Sequence, residues 1–235
     1  MGIKENLNDI NSTLREGVTL IAVSKTKPKE AIMEAYEAGQ RDFGENKMQE
    51  LTVKMGELPA DIRWHFIGGL QRNKCKFLDE RVALVHSVDR LSLANALDRN
   101  ARNKGYLQDI LLQVNIGREK SKGGCLPEEL ASLAERVKEL SGLHVRGLMA
   151  LIPDTAEEAE QKKYFNAMQE LFLKEKTRET DRYEMKILSM GMSGDYKAAM
   201  ECGSTMVRIG SAIFGARDYS IKDQKQDQTS NRIMG

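Results

Sequence analysis

The amino-acid sequence predicts an α/β protein built as a single TIM-type (β/α)8 barrel with an extra helix at its N-terminus. Apolar runs of strand length alternate with amphipathic stretches of helix length from Val18 to about Phe214, and eight such runs can be distinguished. The length of 235 residues also suits one domain of this size. An open, doubly wound sheet is the alternative, because the second strand is short.

The predicted strands are apolar runs, most of them rich in β-branched residues, and nearly all precede a helical stretch. They cover Thr19 to Ser24, Asp42 to Phe43, Trp64 to Ile67, Ala83 to Ser87, Ile110 to Asn115, Val145 to Leu151, Lys186 to Met190 and Met206 to Ile209. The helices cover Lys29 to Ala38, Lys47 to Lys54, Arg72 to Leu78, Arg90 to Asn103, Pro127 to Leu140, Ala156 to Lys176 and Tyr196 to Glu201. Pro127 suits a first helical turn, because the N–H that proline lacks is not needed there.

The two ends of the chain differ in pattern. Before the first strand, apolar residues recur at helical spacing, at Ile3, Leu7, Ile10 and Leu14. They predict a helix that packs against the barrel. After Gly215 the sequence is polar and lacks periodicity. We therefore expect one domain over residues 1–216 and a disordered tail over residues 217–235.

The composition argues against several classes of partner. The formal net charge is +1, which provides no basic footprint for nucleic acid and no polybasic anchor for a membrane. The longest apolar stretches, such as Val18 to Val23, are too short to cross a bilayer, and the polar N-terminus predicts a cytoplasmic chain. Cys75, Cys125 and Cys202 are widely spaced and odd in number, which favours buried thiols over disulfides or a zinc site.

Lys25 follows the first predicted strand directly. The apolar run ends at Ser24, and Pro28 opens the next helix. In parallel barrels the pocket forms at the carboxyl ends of the strands, so the Lys25 amine is a candidate for the site. Apolar neighbours favour its neutral form, which can attack an aldehyde. The alternative is a strand-end lysine that reaches solvent, and Lys27 is a second, less constrained candidate.

The loops after the seventh and eighth strands have the features of a phosphate site. Ser193 is placed as the N-cap of a helix that begins near Gly194, and unpaired N–H groups follow it. The eighth strand carries Arg208 and ends at Gly210 and Ser211, where N–H groups can approach a ligand closely. TIM barrels frequently bind phosphate at these two loops. The alternative is that the serine only caps a helix and the glycines only form turns.

Polar side chains also occur at the second and third strands. Asn46 follows the second strand and either hydrogen-bonds a ligand hydroxyl or caps the next helix. His65 lies within the third strand and is either a core histidine or a ligand contact. His86 and His144 lie in separate strand regions without spaced partners, so the sequence predicts no metal site.

Four segments together resemble the pyridoxal 5′-phosphate (PLP) homeostasis protein family, known as YggS in bacteria and as the proline synthetase co-transcribed homologue in animals. The segments are AVSKTKP, DFGENKMQE, WHFIGGLQRNK and LSMGMSGDYKAAMECGSTMVRIGSAIFG, in the family's order and at similar separations. The similarity covers residues 5 to 219. It implies a barrel like the N-terminal domain of bacterial alanine racemases, with PLP held as a Schiff base on Lys25, the lysine of AVSKTKP.

The resemblance also implies the roles of the remaining site residues. Ser193, with the backbone of Gly210 and Ser211, would hold the phosphate of PLP. Arg208 would face the pyridine nitrogen, and Asn46 would lie near the 3-hydroxyl. An arginine in that place disfavours a protonated ring, so the cofactor would be a weak electron sink.

Three functions are compatible with these features. The resemblance implies a non-catalytic protein of vitamin B6 homeostasis that buffers, protects or delivers PLP, with PLP-dependent apoenzymes as recipients. The alternative is an amino-acid racemase, which needs acid/base groups on both faces of the α-carbon; alanine racemases take one of them from a C-terminal domain that this chain is expected to lack. The third is an interaction module on the charged segment from Glu157 to Arg182, although such charges also suit a solvated helix. A one-domain barrel with a polar surface predicts a monomer, with a dimer as the alternative.

Overall fold

The computed structural model describes residues 2–154 and 157–215. Within these ranges eight parallel strands form a closed barrel in the order β1 to β8, and β8 pairs with β1. The predicted barrel is confirmed, and the open-sheet alternative is wrong. The predicted tail, residues 217–235, lies outside the described residues.

Each predicted strand is present, with bounds close to those expected. The strands are β1 (Thr19–Val23), β2 (Asp42–Glu45), β3 (Arg63–Phe66), β4 (Val82–Val88), β5 (Gln108–Val114), β6 (Leu143–Ala150), β7 (Tyr183–Ser189) and β8 (Met206–Ile209). The helices are α1 (Ile3–Thr13), α2 (Lys29–Glu37), α3 (Met48–Glu57), α4 (Leu91–Lys104), α5 (Leu130–Lys138), α6 (Glu158–Lys176), α7 (Tyr196–Glu201) and α8 (Ser211–Phe214). The predicted N-terminal helix is α1, which buries Leu7 and Ile10.

Two of the predicted helices differ from the structure. The segment Arg72–Phe77 forms a 3₁₀ helix rather than an α-helix. The fifth helix begins at Leu130 instead of Pro127, because the residues before it form a separate turn. The Glu129 carboxylate closes that turn by accepting a hydrogen bond from Leu126 N at 2.8 Å.

The apolar core has two parts. A large cluster fills the space between the strands and the surrounding helices, and a small cluster lies inside the barrel, formed by Ile21, Leu84, Leu111, Met149 and Met206. The three cysteines are buried and unpaired, as expected. In the described ranges, no group of side chains is placed to hold a metal ion, and no helix is long and apolar enough to cross a membrane.

Strand β6 passes very close to β7 at Gly147. This glycine has φ of 150°, and the pairing register between the two strands shifts between Val145 and Gly147. A Cβ at Gly147 would lie 1.8 Å from the carbonyl oxygen of Ile187. No side chain fits here unless the two strands move apart.

We expect Gly147→Ala to lower the free energy of unfolding by about 1–3 kcal/mol, since it overpacks the strand pair. Gly56→Ala is the matched control, because its Cβ would meet nothing within 4 Å and it lies in helix α3. Alanine there should raise stability by about 0.5–1 kcal/mol. Urea denaturation measures both variants, and a neutral Gly147→Ala would contradict the close approach of the strands.

Candidate functional site

A cavity of about 440 Å³ lies at the carboxyl end of the barrel strands. Its lining contains every site residue that the sequence predicted, namely Lys25, Asn46, Ser193, Arg208, Gly210 and Ser211. These residues come from the ends of four different strands, which the barrel brings to one rim. Lys27 and Lys122 also line the cavity, and its described lining contains no carboxylate. The cavity therefore suits a small anionic ligand.

Lys25 lies in a strained turn after β1. Its neighbour Thr26 has φ of 63°, in the left-handed region that β-branched residues rarely adopt. Lys27 N donates a hydrogen bond to Ser24 O at 3.0 Å, and Thr26 N donates to Glu50 Oε1 at 2.6 Å. Such a conformation costs about 1–3 kcal/mol and persists only when the surroundings hold it. The bond from Thr26 to Glu50 is part of that support.

A buried ion cluster lies behind this turn. Lys54 Nζ donates to Ser24 O at 2.9 Å and to Glu45 Oε1 and Glu50 Oε1, each at 2.7 Å. Ser24 Oγ also donates to Glu45 Oε1 at 2.6 Å. Burial raises the pKa of the Glu45 carboxyl, and Lys54 acts in the opposite direction. The cluster fixes the main chain on both sides of Lys25, and the sequence analysis did not identify it.

Lys27 occupies a different position in the cavity wall. Its Nζ donates to Phe214 O at 2.8 Å and to Gly215 O at 3.2 Å. The amine thus joins the turn after β1 to the end of α8.

The structure corrects the predicted role of Ser193 as a helix cap. Helix α7 begins at Tyr196, and its N-cap is Asp195, whose Oδ1 accepts from Met192 N at 2.5 Å. Ser193 therefore lies before the cap and outside the helix. Its Oγ accepts from Gly210 N at 3.3 Å, which joins the loops after β7 and β8.

The loop after β8 presents main-chain donors to the cavity. Helix α8 begins at Ser211, so the N–H groups of Ser211 and Ala212 have no acceptor within the helix. Gly210 precedes them, and a Cβ there would lie 3.2 Å from Val23 O. The loop can therefore approach β1 closely and offer its N–H groups to an anion.

Arg208 is buried at the base of the cavity, with 4% of its surface exposed. Its Nη1 donates to Ser189 Oγ at 2.6 Å, and its Nη2 donates to Ala150 O at 2.8 Å. Burial lowers the pKa of the guanidinium to about 10, so it stays protonated at neutral pH. Because both acceptors are neutral groups, this cation favours an electron-rich partner in the cavity.

Asn46 places a buried hydrogen-bond acceptor at the cavity, and this atom bears on whether PLP fits the site. Its Oδ1 is buried and accepts no hydrogen bond from the described residues. Its main chain is held by close packing, since a Cβ at Gly68 would lie 2.3 Å from Asn46 O. A buried acceptor of this kind matches a ligand hydroxyl. With the cationic wall and the main-chain donors, the cavity fits a ligand that carries a phosphate, a ring nitrogen and a hydroxyl, as PLP does.

Two further observations concern residues outside the predicted set. Lys122 lines the cavity and donates from Nζ to Ile152 O at 2.5 Å; it lies in the loop after β5, where the sequence gives no sign of a site. His65 is a hydrogen-bonded core histidine and does not line the cavity. Its two alternatives are thus resolved in favour of the core.

Comparisons with known proteins agree with the features described above. The family described as "Alanine racemase, N-terminal domain" matches residues 2–218. A relative from Pseudomonas aeruginosa, named "Pyridoxal phosphate homeostasis protein", is 46% identical over 229 residues, covering 92% of this chain and 96% of the relative. The resemblance seen in the sequence is thereby confirmed.

Solved structures extend the comparison to the fold. PipY of Synechococcus elongatus, solved with PLP bound, matches with a TM-score of 0.83 and 37% identity, covering 91% of this chain and 100% of that chain. An alanine racemase of Streptomyces coelicolor matches with a TM-score of 0.71 and 21% identity, covering 92% of this chain and 58% of the racemase. At that identity the racemase supports the fold alone.

Proposed function

The chain belongs to the alanine racemase N-terminal domain family and, within it, to the PLP homeostasis proteins, and we propose that it binds PLP through Lys25 in cellular PLP homeostasis. The observation that carries this proposal is the cationic cavity in which Lys25 meets the donors of the loops after β7 and β8. PLP supplies an aldehyde that condenses with a lysine amine. The PLP-binding unit spans residues 1–216.

The phosphate is assigned to the end of the cavity between β7 and β8. Ser193 Oγ and the N–H groups of Gly210 and Ser211 would hold it, and the positive charges of the wall would compensate its charge. These donors belong to two loops that the bond from Gly210 N to Ser193 Oγ already joins. Gly210 N–H and Ser193 Oγ would both turn from this bond to the phosphate, whereas the Ser211 N–H has no acceptor within its helix.

The ring is assigned to Arg208 and Asn46. The Arg208 guanidinium can only donate hydrogen bonds, so it would meet the ring nitrogen in its unprotonated form. Asn46 Oδ1 would accept from the ring hydroxyl, which supplies the donor that this buried atom lacks. An unprotonated ring withdraws electrons weakly, which disfavours chemistry at the α-carbon of an amino acid.

We propose that the protein does not catalyse turnover. Racemisation requires an acid/base group on each face of the substrate. The titratable side chains in the described lining are Lys25, Lys27, Lys122 and Arg208. The amines of Lys27 and Lys122 donate to main-chain carbonyl oxygens, so neither is placed as a second base. PLP-dependent apoenzymes are the recipients that this function implies.

The proposed function is tested with the purified chain and PLP. Borohydride reduction should trap one PLP per chain, and the loaded protein should reactivate a PLP-dependent apoenzyme by transferring its cofactor. Exchange of the α-hydrogen of amino acids in deuterated water should stay at the level of free PLP. Exchange far above that level would replace the homeostasis role with a racemase.

Ser193→Ala should raise the dissociation constant of PLP about tenfold, because it removes a hydrogen bond to a charged phosphate. The matched control is Ser132→Ala, which removes an exposed serine on helix α5. Equilibrium dialysis of PLP against both variants gives the comparison. Equal retention of PLP by the two variants would remove Ser193 from the phosphate site.

A monomer is the oligomeric state that the surface favours. The large apolar side chains that are exposed in the described ranges lie on separate elements, at Val53, Phe77, Leu107, Leu173 and Met192. Each is a single exposed apolar residue on its element, and single residues of this kind need no partner to cover them. Sedimentation analysis of the full chain checks this expectation.

A further inference from the structure

A chain of hydrogen bonds crosses the barrel interior below the cavity. His65 Nε2 is 3.0 Å from Asp42 Oδ1, and His65 Nδ1 is 3.1 Å from His86 Nε2. His86 Nδ1 is 3.2 Å from Ser189 Oγ, which accepts from Arg208 Nη1 at 2.6 Å. All five side chains are buried. The chain therefore connects β2, β3 and β4 with β7 and β8 and ends at the guanidinium that lines the cavity.

The two ends of this chain determine which atoms donate. Burial opposes ionisation of Asp42, but its hydrogen bonds to His65 and Arg63 lower the pKa of the carboxyl below its ordinary value. Asp42 is thus a carboxylate, which can only accept, and His65 Nε2 must carry a proton. At the other end Arg208 can only donate, so Ser189 Oγ accepts from it.

The donors of the two bonds between these ends, Ser189 to His86 and His86 to His65, can then be assigned. The buried Ser189 hydroxyl needs an acceptor for its hydrogen, and among the described residues that acceptor is His86 Nδ1, so this nitrogen carries no proton. Burial keeps the pKa of fully buried His86 well below the ordinary value, so the neutral ring carries its proton on Nε2 and donates it to His65 Nδ1. Neutral His86 then accepts at Nδ1 from the Ser189 hydroxyl. Every bond has one donor and one acceptor, and the donors all point from Arg208 toward Asp42.

We propose that Asp42, His65 and His86 are positioning residues that set the orientation of the Ser189 hydroxyl, so that its lone pairs face Arg208 and hold the guanidinium toward the ligand. The proposal rests on the proposed function, since it concerns the arginine assigned to the ring nitrogen. It adds that PLP binding depends on Asp42, which lies at the end of β2 away from Asn46. The carboxylate of Asp42 is what prevents the chain from reversing.

Replacing Asp42 with asparagine removes that constraint at nearly constant size. In either orientation the amide NH₂ group meets one N–H of Arg63, so this pair no longer fixes an oxygen toward His65, and His65 can take either neutral tautomer. In the reversed chain, His86 Nδ1 donates to Ser189 Oγ. That oxygen is then shared between His86 and Arg208, and the guanidinium is held less firmly.

The test uses two measurements on the full chain. Nitrogen-15 NMR of the ligand-free protein should show Nε2–H tautomers for His65 and His86, and a mixture of tautomers for both in Asp42→Asn. The dissociation constant of PLP should rise roughly fivefold in this variant, a typical effect for a coupled residue outside the site. Asp109→Asn is the matched control and should change neither measurement. Asp109 also faces a histidine and an arginine, with 3.4 Å to His144 Nδ1 and 3.6 Å to Arg146 Nε.

A double-mutant cycle keeps the proposal falsifiable if one variant is poorly stable. Ser189→Ala cuts the chain next to Arg208, so adding Asp42→Asn should not weaken PLP binding further. Unchanged tautomers in Asp42→Asn, or additive losses in the double variant, would overturn the positioning role. If the native protein failed to bind PLP, the proposed function would be wrong instead. The histidine tautomers would still show whether the hydrogen bonds run from Arg208 to Asp42.

Discussion

Lys25→Ala is expected to abolish covalent attachment of PLP to the protein. Lys25 lines the cavity from a turn whose main chain is held on both sides by the buried Lys54 cluster. It is also the lysine of the AVSKTKP segment, to which the resemblance assigns the Schiff base. We therefore expect the visible absorbance of lysine-bound PLP to disappear in the variant. Borohydride reduction followed by peptide mapping should find no trapped cofactor at the site.

Lys27→Ala is the matched control for this experiment. It removes an amine from the same cavity wall, two residues away, and should retain the absorbance and the trapped PLP. Its expected cost is a looser contact with Phe214 and Gly215, whose carbonyl oxygens it binds. Persistent absorbance in Lys25→Ala, with PLP trapped on another lysine, would show that the reactive amine was assigned wrongly.

The sequence was sufficient to predict the architecture because the signal is repeated. Eight apolar runs alternate with amphipathic stretches, so an error at one boundary does not change the number of strands. The short strand β2 was found from only two residues and extends to Glu45 in the structure. Helix starts that follow a separate turn were less predictable. Pro127 indicated the start of α5, which begins at Leu130, and Ser193 indicated the cap of α7, whose N-cap is Asp195.

The site was predictable to the extent that barrel topology gathers strand ends at one rim. Six residues from separate segments were expected to meet, and they line one cavity. Contacts between distant side chains gave no comparable signal. His86 and Ser189 are 103 positions apart, and nothing in either segment indicates their hydrogen bond. The left-handed conformation of Thr26 is equally hidden, because Glu50 and Lys54 support it from another helix.

Lys54→Met is expected to lower the free energy of unfolding by about 3–5 kcal/mol, the usual cost of breaking a buried ion pair by removing one partner. Lys54 is 7% exposed and its main partner, Glu45, is fully buried. Methionine keeps the length of the side chain but leaves the Glu45 carboxylate without its cation. The Oε2 atom of Glu45 already accepts no hydrogen bond from the described residues, so the Ser24 hydroxyl would be the donor left to the carboxylate. Urea denaturation measures the loss.

Two further variants separate charge from packing. Lys29→Met removes an exposed lysine of α2 that pairs with Glu57 at 3.6 Å, and it should change stability little, because exposed pairs contribute little. Adding Glu45→Gln to Lys54→Met removes the buried carboxylate that has lost its cation, and it should restore part of the lost free energy of unfolding. A double variant no more stable than Lys54→Met would assign the loss to packing instead.

The stability that Lys54→Met loses should also depend on pH, and the pKa of Glu45 determines the direction of that dependence. Burial raises the pKa of this carboxyl in the folded protein, and Lys54, which lowers it, is absent from the variant. A carboxyl whose folded pKa lies above its unfolded pKa destabilises the fold at higher pH, and this penalty fades as the pH falls through the folded value. The difference in free energy of unfolding between Lys54→Met and the native chain should therefore become smaller on mild acidification. A difference that stays constant across this range would mean that the carboxylate of Glu45 is not the source of the loss.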